Sequence, residues 1–534
     1  MKTMRSMALA GLMAVAVAGC MDLDVVNPND ADAERALKTP GDIEALIAGG
    51  YGTWWNPSSS SNGPSAILAT TANMHSATAA NFGMVEFSSW PRVAAHAQPS
   101  QVFTSQLSAY AWTQLYRAIS SVTEGLRVLD GGIDLGSEEL MARARAYGYF
   151  SLGIAHGSAA LLYDQGYIYD PSIALEDVAL SPYGEVLEAA LGYLDRAIQE
   201  AQGQSFTIPA TWMSRDVTAA ELIRYAHSMK ARYRANVART PAERMAVNWN
   251  AVIQDVDAGI DETWTINVTS GSGFASGVMS NLVRFGPWGQ MSYQIFGMAD
   301  QAGQYQEWIS RDPWVRYPNL SDDQTGDPFL IQTDDQRFPS GTTIAEQQAN
   351  DGSIFEVATA GGGYGAQWAR PDRGTFRWSY YRIHIHDQWQ GNAANRTTHP
   401  EMALAEMRLL KAEGLYRNGD LAGAAAIINE TRVAAGLNAT DAAGTNTSCV
   451  PKLPNGSCGD LFEMLKWEKR LETLFAGPHM AAGYFDGRGW GDLAEGTFLQ
   501  IPLPGEELDL LGLPGYTFGG PGGPSAAPVG TYGF

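Results

Sequence analysis

Cysteine is nearly absent, with three in 534 residues. Positive charge is scarce as well: 35 Lys and Arg stand against 57 Asp and Glu, a formal charge of −22. So acidic a chain repels phosphate backbones and anionic headgroups, which excludes nucleic acid as an expected partner. Beyond the N-terminus, no stretch is long and apolar enough for a transmembrane helix. A P-loop, a dinucleotide-binding glycine fingerprint, a nucleophile elbow and a zincin helix are all missing. No catalytic residue is therefore assigned. Paired carboxylates of the glycosidase kind can be drawn from 57 acids in many ways, and nothing selects a pair. Global disorder is excluded by a hydrophobic content of 45%.

The N-terminus carries the clearest signal. Lys2 and Arg5 precede an apolar run from Met7 to Ala18, too short to cross a bilayer and placed where a signal peptide has its hydrophobic region. It ends in Val17-Ala18-Gly19-Cys20, which resembles the bacterial lipobox. Residues 1–19 are thus expected to be a signal peptide. Cys20 is the expected lipidation site, carrying diacylglycerol and palmitate-type chains. Losing Lys2 and Arg5 takes the formal charge from −22 to −24. Membrane contact then rests on the acyl anchor. The other cysteines, Cys449 and Cys458, flank a loop with Pro451, Pro454 and an Asn455-Gly456 turn. In an oxidising compartment a disulfide is expected, and two thiols without nearby histidines are too few for zinc.

Helical periodicity dominates two stretches. In the first, apolar residues recur at helical spacing over 107–129, 138–156, 183–201 and 217–239, with a further helix over 241–258 behind Pro241. Thr39-Pro40-Gly41-Asp42 marks an earlier helix start, and 56–65 reads as a loop. In the second, 401–417 and 421–435 flank Asn418-Gly419-Asp420 as a tetratricopeptide-type hairpin, with a last helix from Leu461 to about Leu474. Between them, 262–398 is rich in Gly, Asn, Asp and Trp and loses the period, apart from a candidate strand over Arg377–Trp389. The expected fold is mainly α: a helical-hairpin scaffold with a large loop-rich ligand face and a few short strands. It forms one domain over 20–534, with a helical part at 20–261, a ligand-face insertion at 262–400, and a helical hairpin and closing segment at 401–534.

These parts together resemble the SusD/RagB family of outer-membrane nutrient-binding lipoproteins. The matching residues are Cys20 through Asn27-Pro28-Asn29, Thr39 to Leu46, Glu406 to Tyr416, Trp467-Glu468-Lys469-Arg470-Leu471-Glu472, Phe485-Asp486, Gly489-Trp490-Gly491, Ile501-Pro502-Leu503-Pro504 and Glu506-Glu507-Leu508. The Asn-Pro and Gln-Asn closing residues frequent in the family are missing at the C-terminus. The resemblance implies a tetratricopeptide-like scaffold and a lipid-anchored, cell-surface position on the outer membrane. It also implies a TonB-dependent, SusC-like transporter as partner. By the same token, Gly483 to Gly491 reads as a structural turn closing the fold.

The expected activity is capture of an oligomeric nutrient, an oligosaccharide first. A peptide ligand, or hydrolysis of a glycan by a lipoprotein enzyme, are the alternatives. Indole faces stack on the C–H faces of sugars, and loops present them. The ligand face is accordingly expected in 70–95 and 262–398, not on the helices of 105–260. The named candidates are Trp90, Trp288, Tyr293, Trp308, Trp314 and Trp378, with Asn73 and Arg284 for hydroxyl groups. Each Trp equally fits a role as core filler, as Trp112, Trp249 and Trp467 do on their helices. No cofactor is expected. His384, His386 and Asp387 are too few for a convincing metal site. Asp322, Asp323, Asp327, Asp334 and Asp335 leave structural calcium open, without EF-hand spacing and with a solvated acidic loop as the plainer reading.

Overall fold

Helix α1 (Pro40–Ala48) opens on a reciprocal cap: the Thr39 side chain accepts from the Asp42 backbone, and Asp42 accepts from Thr39. With Pro40 in the first turn, this is the start the sequence indicated. The computed structural model describes residues 39–60, 63–75, 87, 92, 106–269, 271–275, 291–311, 329–357, 379–384, 398–474, 476, 482–516 and 526–534. Helices α2 (Gly50–Ser58) and α3 (Pro64–Thr71) follow. Together they take up half of the stretch expected as a loop over 56–65, because Pro57 falls in the last turn of one helix and Pro64 in the first turn of the next.

The scaffold is a row of helices, each packed on its neighbour. Helix α4 (Ala111–Asp130) lies on α5 (Glu138–Leu162), α5 on α6 (Tyr183–Ala201), and α6 on α7 (Ala219–Asn236). The row continues through α8 (Trp249–Asp257), α9 (Leu404–Arg417), α10 (Leu421–Ala434) and α11 (Leu461–Glu472). This mainly helical, tetratricopeptide-like architecture is the one expected.

Helix α5 sits at the centre and is buried nearly all round from Ala142 onward. It runs to Leu162, past residue 156 where the expected helix ends. The reason is tertiary: a Cβ at Gly157 would lie 2.3 Å from the Tyr233 ring, and one at Gly153 would lie 2.6 Å from Leu194. Glycine here admits the neighbouring helices, and their packing outweighs its poor helix propensity. The expected helix over 241–258 is instead two, Pro241–Ala246 and α8, because the Asn248 side chain caps α8 by accepting from Ala251 N at 3.1 Å.

Although far apart in sequence, α8 and α9 are packing neighbours. The chain between them leaves along strand β5 (Trp264–Asn267) and returns along β8 (Thr398–Met402), paired antiparallel from Trp264↔Met402 to Asn267↔Thr398. Three other two-stranded sheets are described: β1 (Gln165–Tyr167) with β2 (Leu180–Pro182), β3 (Thr207–Ile208) with β4 (Val217–Thr218), and β6 (Phe355–Val357) with β7 (Tyr381–Ile383). The last pair holds the described strand within 377–389, shorter than the alternation suggested.

Buried ion pairs tie these pieces together. Arg232 on α7 meets Glu406 on α9 through two 2.7 Å bonds and Glu401 on β8 at 2.6 Å. Arg244 bonds Glu413 at 3.0 and 2.6 Å and Asp486 at 2.9 Å. Arg337 bonds Glu468 on α11 at 2.7 Å and Asp335 at 2.8 Å, and Trp467 Nε1 donates to the same Asp335 at 3.0 Å. The charged run Trp467–Arg470 is therefore interior, each residue 3% exposed or less. Asp486 lies on a helix, α12 (Ala482–Trp490), and not in the turn expected for 483–491. Its carboxylate, held by Arg244 and by Lys469 at 2.8 Å, is what closes the fold there.

Candidate functional site

Helix α2 turns Trp54 and Trp55 inward, where Trp54 Nε1 donates to Ser158 Oγ at 2.8 Å and Trp55 Nε1 to the Ala275 carbonyl at 3.0 Å. The next residue, Asn56, spans the 273–275 backbone. Its Nδ2 donates to Gly273 O at 3.0 Å, and Ala275 N donates to its Oδ1 at 2.9 Å. Ser59 Oγ adds a bond to Ala275 O at 2.8 Å. Four hydrogen bonds thus pin a loop to a helix and make one firm wall, to which Gly52, Thr53, Pro57 and Ser60 contribute.

The facing wall is the polar side of α4 and the π-helical turn before it, Gln106–Tyr110. Tyr110, Gln114 and Arg117 follow at intervals of four and three, one helix face. The opposite face carries Ala111, Leu115, Ala118, Ile119 and Val122 into the core. Between the walls runs an open groove of about 420 Å³, within the range of roughly 300–1,000 Å³ usual for small-molecule sites. Tyr110 is 37% exposed and Arg117 is exposed, with Gln114 half-buried between them. Among the described residues, none of these three side chains has a hydrogen bond, ion pair or ring contact. An aromatic face, an amide and a guanidinium stand side by side, open to a ligand. No acidic side chain lines the groove among the described residues.

A second cavity, about 400 Å³, lies under the closing segment between Pro241, Trp490 and Ala527–Thr531. Its charged residues are interior and held largely by backbone carbonyls. Arg239 and Arg488 are 0% and 1% exposed and bond backbone carbonyls of Ala160, Tyr163, Leu499 and Asn236 at 2.7–2.9 Å. Burial pushes both guanidinium groups below the ordinary arginine value, and their mutual repulsion adds to this for Arg488.

The candidates named from sequence divide in two. Trp90, Arg284, Trp288, Trp314 and Trp378 lie outside the described residues, as do Cys20, His386, Asp387, Asp322, Asp323 and Asp327. The other three, expected to face solvent, are interior. Tyr293 is 0% exposed, its ring stacked on Phe329 at 4.2 Å and its hydroxyl bonded to the Phe329 carbonyl. Trp308, 2% exposed, packs in the same cluster at 5.5 Å from Tyr293. Asn73, 1% exposed, adopts a φ of 58° and accepts from Arg92 at 3.1 Å. For Trp308 the core-filling reading is the correct one, and Tyr293 shares it: irregular backbone still needs large side chains beneath it, while Asn73 is a buried turn residue and not part of a surface loop. Trp112, Trp249 and Trp467 are buried as expected. Asp335 is likewise no solvated loop acid but the buried partner of Arg337, and Asp334 accepts from Gln301 at 3.1 Å. His384 bonds the Gly352 carbonyl. Among the described residues no cluster of metal-ligating side chains forms. Cys449 and Cys458 form the expected disulfide.

Tyr110, Gln114 and Arg117 are not among the ligand residues expected from the sequence: Tyr110 belongs to the apolar stripe of 107–129, and this wall lies on the helices of 105–260, where no ligand face was expected. Their spacing was visible, but it is also that of any solvated helix face. What makes them a wall is Asn56 reaching Gly273 and Ala275, a long-range contact without local signal.

With this geometry the chain resembles a group of solved structures. One, a SusD superfamily protein from Bacteroides thetaiotaomicron, matches with a TM-score of 0.50 at 13% identity, over 88% of this chain and 96% of that one. The fold is that of the SusD superfamily. Another SusD superfamily protein from the same species has a TM-score of 0.49 at 10% identity, over 90% of this chain and 95% of that one. One from Bacteroides vulgatus has 0.47 at 14%, over 86% and 89%. No protein-family model and no curated protein matches the chain. The SusD-like scaffold accounts for the row of helices. It leaves the ligand to be read from the groove.

Proposed function

We propose that this SusD-like chain is a lipid-anchored protein of the outer-membrane surface that binds an oligosaccharide without catalysis and passes it to a TonB-dependent, SusC-like transporter. The groove between α2 and α4 carries the reading. Tyr110 offers a ring face to a sugar, and Gln114 and Arg117 offer donors, with Gln114 also an acceptor, for its hydroxyl groups. From Tyr110 to Arg117 the wall runs roughly 10 Å along the helix axis, longer than one pyranose ring, so it suits an oligomer. The groove lacks paired carboxylates among the described residues, which supports binding over hydrolysis. Arg284 and Trp288 follow Ala275 closely in the chain, and we include them, with Trp90, Trp314 and Trp378, as proposed extensions of the same face. Cys20 supplies the anchor.

The test is isothermal calorimetry against a glycan panel, with a peptide pool as control. Tyr110→Ala together with Gln114→Ala should weaken the best glycan at least tenfold, since two contacts worth about 1 kcal/mol each are lost. Circular dichroism should be unchanged, because neither side chain supports the core. Undiminished glycan binding by the double variant, or binding to peptides alone, refutes the proposal.

A further inference from the structure

Arg117 is the sole charged residue lining the groove among the described residues, and it has no carboxylate partner. The other arginines of α4 and α5 are placed differently. Acids outnumber bases 57 to 35, and the neighbouring arginines all find one: Arg127 pairs with Glu124, Arg143 with Glu44, Arg145 with Asp130. The guanidinium presents a planar fork whose geometry matches a carboxylate through two parallel N–H donors. A neutral sugar uses such a fork through hydroxyl groups only and leaves its charge unmatched. We infer that the groove between α2 and α4 selects acidic oligosaccharides, with Arg117 forking a uronate carboxylate while Tyr110 carries a neighbouring ring and Gln114 bonds the hydroxyl groups between them. The inference rests on the glycan-binding reading above and adds the charge of the ligand.

Acidic ligand and acidic protein repel at long range, and that shapes the specificity. With a formal charge of −22, the surface as a whole disfavours anions. An acidic oligomer therefore binds only where a local positive charge is left open, and Arg117 is such a place. The same imbalance predicts an unusual salt response. Added salt screens the overall repulsion as well as the Arg117 contact, so affinity changes less with ionic strength than at a basic site.

The experiment is calorimetry on the purified chain with three acidic probes: oligogalacturonides, alginate oligomers and glucuronate-substituted xylan oligomers. Each is paired with its methyl-esterified, neutral form. At least one acid should bind roughly tenfold or more tightly than its ester, the value of one charge-assisted pair. Arg117→Gln should abolish that difference and leave the melting temperature unchanged, while ester binding weakens far less than acid binding because only hydroxyl contacts of the guanidinium are lost. Arg117→Lys should retain part of it, since the charge remains and the fork is lost. If neutral glycans bind while acids and esters are indistinguishable, the acid inference fails and the general reading stands. If an acid is preferred equally by Arg117→Gln, the inference also fails. If no glycan of either kind binds, both readings fall together.

Discussion

Replacing Arg244 by methionine probes how the closing segment is held. Arg244 is 0% exposed and sits on the short helix Pro241–Ala246. It donates to Glu413 at 3.0 and 2.6 Å, to Asp486 at 2.9 Å, to Ala235 O at 2.6 Å and to Asn236 Oδ1 at 3.0 Å. Methionine keeps the length and removes the charge. Glu413 then retains only Arg417 at 3.3 Å and Trp490 Nε1 at 3.1 Å, while Asp486 retains Lys469 at 2.8 Å. Breaking a buried pair from one side typically costs about 3–5 kcal/mol. With Lys469 and Arg417 still in place, the lower end, ~3 kcal/mol, is the expected loss. The assay is urea unfolding followed by tryptophan fluorescence, where the midpoint falls at unchanged slope.

Acid titration gives an independent readout of the same contact. Burial pushes the Glu413 carboxyl up, but Arg244, helped by Lys469 and Arg417, overcomes this and holds it at about 2, against an ordinary 4.5. A carboxyl with a depressed folded pKa contributes stability that is fully present above 4.5 and is lost as pH falls towards 2. The shift corresponds to ~3 kcal/mol. Glu413→Gln should therefore lose stability less steeply than wild type across that window. Glu401 and Glu468 are raised by burial despite their arginine partners and slope the opposite way. They are present in both proteins and cancel in the difference. A loss below ~1 kcal/mol for Arg244→Met, or parallel acid curves for wild type and Glu413→Gln, would refute the argument that Arg244 holds this carboxylate.

Gly157→Ala should destabilise the chain by about 1–3 kcal/mol, because the new Cβ would sit 2.3 Å from a Tyr233 ring whose hydroxyl is fixed on the Ile154 carbonyl at 2.8 Å; an unchanged melting temperature would show that α5 and α7 can separate freely. Serine at both Cys449 and Cys458 should cost ~2–3 kcal/mol under the chain-entropy model for so short a loop, read as a lower urea midpoint, and an unaltered midpoint refutes it. Cys20→Ala should leave unlipidated protein in the aqueous phase of a detergent partition, and membrane recovery equal to wild type would overturn the proposed anchor.

Most of the helices were legible because they bury one apolar stripe, so their period survives in the sequence. Residues 183–201 match α6 in both bounds. Errors came where a neighbour overrode a local signal. Gly157 lies just beyond the expected end of α5 and is the contact point for Tyr233, and Pro57 looks like loop yet ends a helix. The site was harder to read for a different reason. Exposure of an aromatic residue is decided by what covers it, and for Tyr293 and Trp308 that cover is mutual, with Phe329. Arg117 shows the converse. Among the described residues it has no carboxylate partner, and a sequence with 57 acids gives no means of seeing that.

The pairing of β5 with β8 bears on how such chains diverge. Residues 267 and 398 are ladder partners, so the two ends of the intervening segment lie about 5 Å apart, whatever its length. Each doubling of a loop adds only about 0.6 kcal/mol of closure entropy, and the stacking of α8 on α9 is indifferent to what hangs from the neck. The segment is nonetheless stitched to the scaffold at several points: Gly273 and Ala275 bond Asn56 on α2, Gln301 and Gln306 bond the backbone of 448–453, and Arg337 enters the core against Glu468 while Phe338 stacks near Trp467. Insertions, deletions and wholesale exchange between relatives should accumulate between those stitches, while Asp335, Arg337 and Glu468 change together or not at all.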